Sequence, residues 1–425
     1  MQTRKPLTPS FASHPSLADF SDHTAAPQRL GFDHDRLRRI GYWMNGYVTT
    51  GKLPYAMTLI ARGGQIAYLD ARGSTDPETG EAPTVDHIAR IYSMTKPIVT
   101  AAAMTFYEEG RFQLEDPIAR WLPEFAEPRV YVEGHGEAME TRPVDGPITI
   151  RQLMTHTAGF TYGFFDPGPI GEIYRLANVN FFPGSETLEM VATRAAEVPL
   201  CFEPGTRWTY SIATDILGRL VEVIAGLPLE QVLRSRILDP LGMVDTAFGV
   251  PSSKTERFAA CFEKTADGGM KRTDDRTASK FLGTPVMHSG GGGLVSTLPD
   301  YLRFTEMMRR GGVLDEVRIL GRKSVDLMMM NHLPGDLASM GQATFSEMPM
   351  VGIGFGLGGS VLLDPARAQI LGSTGEFAWG GVASTGFWID RTEDLSVIFL
   401  TQLTPSSAWP IRRELRVLTY QALVD

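Results

Sequence analysis

The stretch IYSMTKPIVTAAAMTFYEEG, residues 91–110, contains the pattern that decides how the rest of the chain is interpreted. Ser93 is followed three positions later by Lys96, and residues three apart share one face of a helix. Pro97 is tolerated only in the first turn of a helix, and Gly110 suits the position just after a helix ends. A helix is therefore predicted between them, with Ser93 at or near its N-terminus.

This placement would suit a nucleophile, because a serine hydroxyl attacks only when a base removes its proton. A buried lysine beside Ser93 would be a usable base, since burial disfavours the charged form of an amine. The helix N-terminus would favour negative charge on the serine oxygen or on an adjacent oxyanion. Serine is also a common helix cap and most lysines are solvated, so Ser93 and Lys96 alone fit a capped surface helix as well.

Two further segments contain residues of the same chemistry. Tyr210 stands just before a predicted helix in EPGTRWTYSIATDILGRL, residues 203–220. A tyrosine near an ammonium group can act as a general base, although core or rim packing is the usual role of a tyrosine. WGGV, residues 379–382, lies in a predicted strand, where paired glycines mark either close approach of a ligand or backbone, or a bulge.

Taken in this order, the three segments resemble the serine β-lactamase and penicillin-binding protein group. The similarity is closest to family VIII carboxylesterases, which share the class C β-lactamase fold. The blocks ITIRQLMTHTAGFTYG at 148–163 and HSGGGGLVSTLPDYLRF at 288–304 agree with it. The resemblance runs from about residue 30 to the C-terminus, and it is specific because five separate blocks occur in the right order.

The resemblance implies a role for each residue of the constellation. Ser93 would be the acylated nucleophile, and Lys96 and Tyr210 together would be the base that activates Ser93 and later water. The backbone amides of Ser93 and Val382 would form the oxyanion hole.

It also implies substrate contacts. Trp379, Gly380 and Gly381 would bind the substrate, with the two glycines allowing it to approach the strand closely. Tyr162 would line the acyl pocket, a plain surface or core position being the alternative. His156 could suggest a catalytic triad, but the block at 148–163 that contains it is structural in the resembling family.

Two departures from the β-lactamase pattern favour neutral esters as substrates. The Tyr-x-Asn pattern is Tyr210-Ser211-Ile212 here, and tryptophan at 379 replaces the lysine of Lys-Thr-Gly. Without that lysine an anionic β-lactam or peptide C-terminus loses its partner, whereas tryptophan offers apolar area to a neutral chain. No complete G-x-S-x-G motif is present, which argues against an α/β-hydrolase.

The predicted function is a carboxylesterase, a serine hydrolase acting on short- to medium-chain esters, with weak β-lactamase activity as a side reaction. A β-lactamase or D-amino-acid peptidase and an acyltransferase are the alternatives. A non-catalytic binding protein is disfavoured, because Ser93, Lys96 and Tyr210 are all present.

The fold prediction is α+β, an α/β sandwich of the serine β-lactamase type. Strand patterns at both ends of the chain predict one antiparallel sheet, built from both termini and flanked by helices. The predicted organisation is an N-terminal arm (1–30), an α/β domain (31–110 and 271–425) and an inserted, mainly helical domain (111–270). The site is expected in the cleft between the two domains.

Composition narrows the remaining classes. The 425 residues are 43% hydrophobic and carry a net charge of −9, which argues against nucleic acid as the main partner. No signal peptide or membrane span is visible, so a cytoplasmic enzyme with a small-molecule ester as its partner is expected. The two cysteines are expected to be free. No cofactor or metal is predicted, and EGHGE at 133–137 is interpreted as a solvated loop.

Overall fold

The computed structural model describes residues 24–425, so residues 1–23 of the predicted N-terminal arm lie outside the described residues. The rest of that arm contains a 3₁₀ turn, Pro27–Leu30. The α-helices in chain order are α1 His34–Thr49, α2 Thr95–Glu108, α3 Ile150–Met154, α4 Pro169–Leu176, α5 Leu188–Ala196, α6 Ala213–Ala225, α7 Leu229–Leu233, α8 Leu298–Arg309, α9 Arg322–Met328, α10 Pro365–Ala368 and α11 Ile411–Tyr420. Within the described range, none of these helices is long and apolar enough to cross a bilayer.

The three longest β-strands lie near the two ends of the chain. The β-strands in chain order are β1 Tyr55–Arg62, β2 Gln65–Gly73, β3 Ala89–Arg90, β4 Arg129–Glu133, β5 Glu140–Pro143, β6 Cys261–Lys264, β7 Met270–Asp274, β8 Val295–Ser296, β9 Val313–Leu314, β10 Val317–Arg318, β11 Thr344–Phe345, β12 Met348–Pro349, β13 Ile353–Phe355, β14 Ser360–Leu362, β15 Phe377–Gly380, β16 Gly386–Asp390, β17 Leu395–Leu400 and β18 Leu403–Thr404.

The main sheet joins the two ends of the chain, as predicted. It has seven strands in the order β13-β14-β15-β16-β17-β1-β2, and every neighbouring pair is antiparallel. Strand β1 pairs with β17, with Met57 opposite Leu400 and Arg62 opposite Leu395. The β1–β2 turn is made by Gly63 and Gly64, whose φ values of 61° and 81° suit glycine.

Different helices cover the two faces of this sheet, because successive side chains of a strand point to opposite faces. On one face, α1 and α11 contribute to an apolar core that includes Ile60, Trp388 and Phe399. On the other face, α8 lies along β16 and β17, and the rings of Tyr301 and Phe387 are 5.1 Å apart. Helix α2 packs against α6 and is buried along its length from residue 95 to residue 106.

The middle of the chain contains more strand than predicted. Residues 111–270 include the hairpin of β4 and β5, and EGHGE occupies the turn of that hairpin. Strand β6 pairs in parallel with β18 from the C-terminal region, with Leu403 opposite Phe262. This pairing joins the predicted inserted domain to the predicted α/β domain. The division into two domains stays a prediction.

A buried ion pair fastens α11 to the start of β15, the strand that carries Trp379. Glu376 is 2% exposed and accepts hydrogen bonds from Arg416 and from the Tyr420 hydroxyl, the latter at 2.8 Å. The Arg416 guanidinium also lies 4.6 Å from the Trp388 ring. Burial raises the pKa of Glu376, and the Arg416 charge opposes that rise.

Substituting Arg416→Met should destabilise the protein by about 3–5 kcal/mol, because it leaves the Glu376 carboxylate buried without its cation. Adding Glu376→Gln should recover most of that loss. Arg413→Met on the same helix is the control, since within residues 24–425 the Arg413 side chain donates a hydrogen bond only to the Gln369 carbonyl. Urea unfolding of the four proteins measures the differences, and an Arg416→Met protein as stable as the control would contradict the expectation.

Candidate active site

Ser93 lies at the junction that its sequence predicts. It occupies a 3₁₀ turn, Tyr92–Met94, that leads directly into α2. Pro97 is the third residue of α2, where its missing N–H leaves no helical bond unmade. Tyr92 has a φ of 42°, a strained value for a residue with a side chain, and such strain is common beside reactive groups. Ser93 opens into a cavity of about 380 Å³.

Lys96 is fully buried and its ammonium group points at Ser93. Its Nζ donates to Ser93 Oγ at 3.3 Å, to Tyr162 Oη at 3.1 Å and to the Gly291 carbonyl at 2.6 Å. An ammonium group has three N–H donors, so these three acceptors satisfy all of them. Lys96 is therefore held in one position against the serine oxygen.

Tyr210 contacts Lys96 through its ring. The Lys96 Nζ lies 4.4 Å from the centre of the Tyr210 ring, a cation–π distance. The Tyr210 hydroxyl accepts a hydrogen bond from Trp379 Nε1 at 3.4 Å. The structure thus brings Ser93, Lys96 and Tyr210 together, with the Tyr162 hydroxyl rather than that of Tyr210 bonded to the ammonium group.

Asp215 is a buried group of this site that sequence reasoning missed. It accepts hydrogen bonds from Ser289 Oγ at 2.6 Å and from the Gly291 amide at 2.9 Å. Burial raises the pKa of Asp215 to about 6, against the opposing effect of the Lys96 charge. Asp215 stands in the first turn of α6, where an acidic residue ordinarily complements the helix dipole. Because this role explains an acidic residue at position 215, nothing in the sequence indicated that Asp215 belongs to the site.

The same carboxylate also acts on the neighbouring Tyr162. Burial first, and then the charges of Asp215 and Tyr210, raise the pKa of Tyr162 well above that of a free tyrosine. Tyr162 therefore stays a neutral phenol that accepts from Lys96. Gly291 belongs to the glycine-rich block HSGGGGLVSTLPDYLRF at 288–304, whose residues had no predicted role in the site.

The WGGV segment reaches the nucleophile at the end of β15. A Cβ atom on Gly381 would lie 2.5 Å from the Ile91 carbonyl, so only glycine lets this strand pass the backbone before Ser93. Trp379, Gly380, Gly381 and Val382 line the same cavity as Ser93. Trp379 stacks on Phe345, from the short hairpin of β11 and β12, with ring centres 5.6 Å apart.

His156 is buried scaffold in this structure. Its Nδ1 lies 3.1 Å from Ser211 Oγ, and its ring packs 5.0 Å from the Tyr210 ring. Burial, with a smaller effect of the Lys96 charge, lowers the pKa of His156 well below its ordinary value. No cluster of three metal-ligating side chains occurs in the described part of the chain. Both cysteines are free.

Known proteins are similar to this chain in sequence. The sequence model of the Beta-lactamase family matches residues 43–421. Esterase EstB of Burkholderia gladioli is 33% identical over 82% of this chain and 86% of its own. Protein Rv1367c of Mycobacterium tuberculosis is 35% identical over 84% of this chain and 87% of its own.

A solved structure also resembles this chain in fold. EstCE1, described as a hydrolase with promiscuous acyltransferase activity, superposes with a TM-score of 0.77 at 27% identity. The superposition covers 94% of this chain and 99% of that one.

The raised pKa of Asp215 should appear in the pH dependence of stability. Its folded value, about 6, lies above the ordinary 3.8, so the folded protein holds this proton more tightly than the unfolded chain. The contribution of Asp215 to stability therefore falls as pH rises between these values. The asparagine of an Asp215→Asn variant cannot ionise. The free energy of unfolding of this variant should therefore rise relative to that of wild type by up to about 3 kcal/mol between pH 4 and pH 7.

Urea unfolding across that pH range measures the difference. Asp35→Asn is the control, since the Asp35 side chain is 87% exposed. Parallel pH profiles for wild type and Asp215→Asn would refute the assignment.

Proposed function

The chain belongs to the beta-lactamase family, with the fold of family VIII esterases, and from this we propose that it is a carboxylesterase acting through an acyl-enzyme on Ser93. Its substrates in this proposal are short- to medium-chain carboxylic esters. The observation that carries the proposal is the Lys96 Nζ, fully buried and 3.3 Å from Ser93 Oγ at the edge of an aromatic cavity.

In the proposed reaction, Ser93 Oγ attacks the ester carbonyl carbon while the Lys96–Tyr210 pair accepts the serine proton. The amides of Ser93 and Val382 would stabilise the oxyanion. The bond to the alcohol oxygen then breaks as that oxygen takes the proton from the base. Water, activated by the same pair, attacks the acyl-enzyme, which releases the carboxylic acid and restores Ser93.

Tyr210 fits the base role better than Tyr162 does. Burial and, after it, the Asp215 charge raise the pKa of Tyr162 and so disfavour its ionisation. The ring of Tyr210 lies directly against the ammonium group. Asp215 would also stabilise the positive charge of Lys96 while the pair holds the serine proton. In this proposal Tyr162 positions Lys96 and lines the pocket.

The charges beside strand β15 favour a neutral substrate. Trp379 replaces the lysine that β-lactamases present to a substrate carboxylate. A cation does lie beside the strand, because Arg412 donates to the Gly381 carbonyl at 3.2 Å. Glu347 neutralises it, however, at 3.2 Å. An anionic β-lactam would therefore find no unpaired charge at this strand.

Acyl transfer to an alcohol is the second candidate. It is supported by EstCE1, whose description includes promiscuous acyltransferase activity. The same acyl-enzyme would be attacked by an alcohol instead of water. Analysis of products formed with an added alcohol separates the two reactions.

Ser93→Ala should lose nearly all turnover, on the order of a thousandfold or more, because no neighbouring group can replace the nucleophile. A fluorophosphonate should add a single label, located at Ser93 by peptide mass mapping. A Ser93→Thr variant tests whether the loss is chemical, since it keeps a hydroxyl. An active Ser93→Ala protein, or a label elsewhere, would overturn the assignment.

The enzyme should prefer a neutral ester to a β-lactam. A charge-assisted hydrogen bond is worth roughly 1.5–3 kcal/mol. The missing lysine alone should therefore lower kcat/KM for an anionic substrate by about one to two powers of ten. We expect kcat/KM for p-nitrophenyl butyrate to exceed that for nitrocefin by about 100-fold or more. Trp379→Lys should reduce the ratio of the two kcat/KM values. If nitrocefin is the better substrate, the β-lactamase alternative replaces the esterase.

A further inference from the structure

Three phenylalanines form an exposed aromatic surface at the rim of the catalytic cavity. Phe164, Phe165 and Phe182 are 56%, 53% and 46% exposed. The rings of Phe164 and Phe165 are 4.5 Å apart, and those of Phe164 and Phe182 are 5.7 Å apart. Single exposed apolar residues are ordinary, but apolar residues grouped in contact mark binding surfaces. We call these three residues the aromatic shelf.

The aromatic shelf is continuous with the catalytic residues. Tyr162 stacks on Phe164, with ring centres 4.9 Å apart and planes inclined by 28°. Phe165 reaches towards Tyr210 at 6.3 Å. Since Tyr162 and Tyr210 both contact Lys96, an unbroken row of rings leads from the ammonium group to solvent. The shelf therefore extends the catalytic cavity.

The backbone of the shelf is held in place. The Arg175 guanidinium donates to the Asp166 carbonyl at 2.8 Å and also to the Gly163 carbonyl. These bonds tie α4 to the segment that carries Phe164 and Phe165. Rings presented on a fixed segment bind with a smaller loss of conformational entropy than rings on a free loop.

We propose that the shelf binds the alcohol part of the substrate, and that this part is a flat aromatic or fused-ring group. The proposal rests on the proposed esterase function. The base must return its proton to the leaving alcohol oxygen, so that oxygen lies within hydrogen-bond reach of the Lys96–Tyr210 pair. The shelf begins at this pair, and the alcohol group therefore extends along it. Ring faces bind flat aromatic groups better than they bind flexible alkyl chains.

Two acetate esters test this preference. The esters of 2-(naphthalen-2-yl)ethanol and of n-hexanol form the same acetyl-enzyme and both release a primary alkanol, so kcat/KM isolates recognition of the alcohol. The naphthylethyl ester should be the better substrate by about tenfold or more. Equal values for the two esters would overturn the proposal.

Variants of the aromatic shelf test whether its rings cause the preference for the naphthylethyl ester. Phe164→Ala and Phe182→Ala should each lower kcat/KM for the naphthylethyl ester by about tenfold while changing the hexyl ester by less than about threefold. Phe164→Leu, which keeps apolar area but removes the ring, should behave like Phe164→Ala. Leu176→Ala is the control, since Leu176 is 80% exposed on α4 outside the cavity lining. Equal losses for both esters would assign the phenylalanines a general structural role.

A binding measurement keeps the shelf and the esterase function separate. Isothermal titration with 2-(naphthalen-2-yl)ethanol should show binding to wild type and to Ser93→Ala, weakened about tenfold by Phe164→Ala with Phe182→Ala. Binding without hydrolysis of any ester, p-nitrophenyl butyrate included, would uphold the shelf and reject the esterase. Hydrolysis without this binding would reject the shelf alone. A wild-type dimer that the double variant dissociates would show that the rings form an interface.

Discussion

The buried ammonium group of Lys96 is the interaction on which the arrangement of this site depends. A charge removed from water is costly unless every donor is paired. Ser93, Tyr162 and the Gly291 carbonyl take the three N–H groups, and the Tyr210 ring covers the cation from another side. Each acceptor comes from a different part of the chain. Satisfying one lysine therefore requires that these segments meet, and their meeting builds the cavity.

The approach of β15 to the start of α2 imposes a second constraint. The strand passes so near the Ile91 carbonyl that a side chain at Gly381 has no room. Glu376, paired with Arg416, fixes the beginning of the same strand. The segment that carries Trp379 is thus held at both ends, by an ion pair before it and by close backbone packing after it. Such fixed geometry is what stabilisation of an oxyanion by backbone amides requires.

Charge and aromatic surface then divide the cavity into two parts. Asp215 lies on the inner side with Lys96, and burial together with the Asp215 charge keeps Tyr162 neutral. Further out the walls are rings, including Phe345 on Trp379 and the aromatic shelf at the rim. Arg412 beside the strand is neutralised by Glu347. Reactive charge at the centre and apolar surface outside suit a neutral ester.

Local signals in the sequence determined most of the framework. The spacing of Ser93 and Lys96 with Pro97 placed the serine at a helix start, because helix geometry acts over a few residues. The Gly63-Gly64 pair is a local signal of the same kind, since two adjacent glycines suit the tight turn that joins β1 and β2. The β-rich segments at both ends predicted the shared sheet, and the ordered blocks identified the family.

Tertiary packing alone decided which side chains meet at the lysine. Nothing local indicates that Tyr162 rather than the Tyr210 hydroxyl bonds to Lys96, or that the Gly291 carbonyl is its third acceptor. Asp215 resembled an ordinary residue of a helix first turn. Its pKa is raised by burial, which outweighs the lowering effect of the Lys96 charge and of the hydrogen bonds from Ser289 and Gly291. These contacts join residues far apart in the sequence, and their distances are set by how whole helices and strands pack, a property that no short pattern encodes.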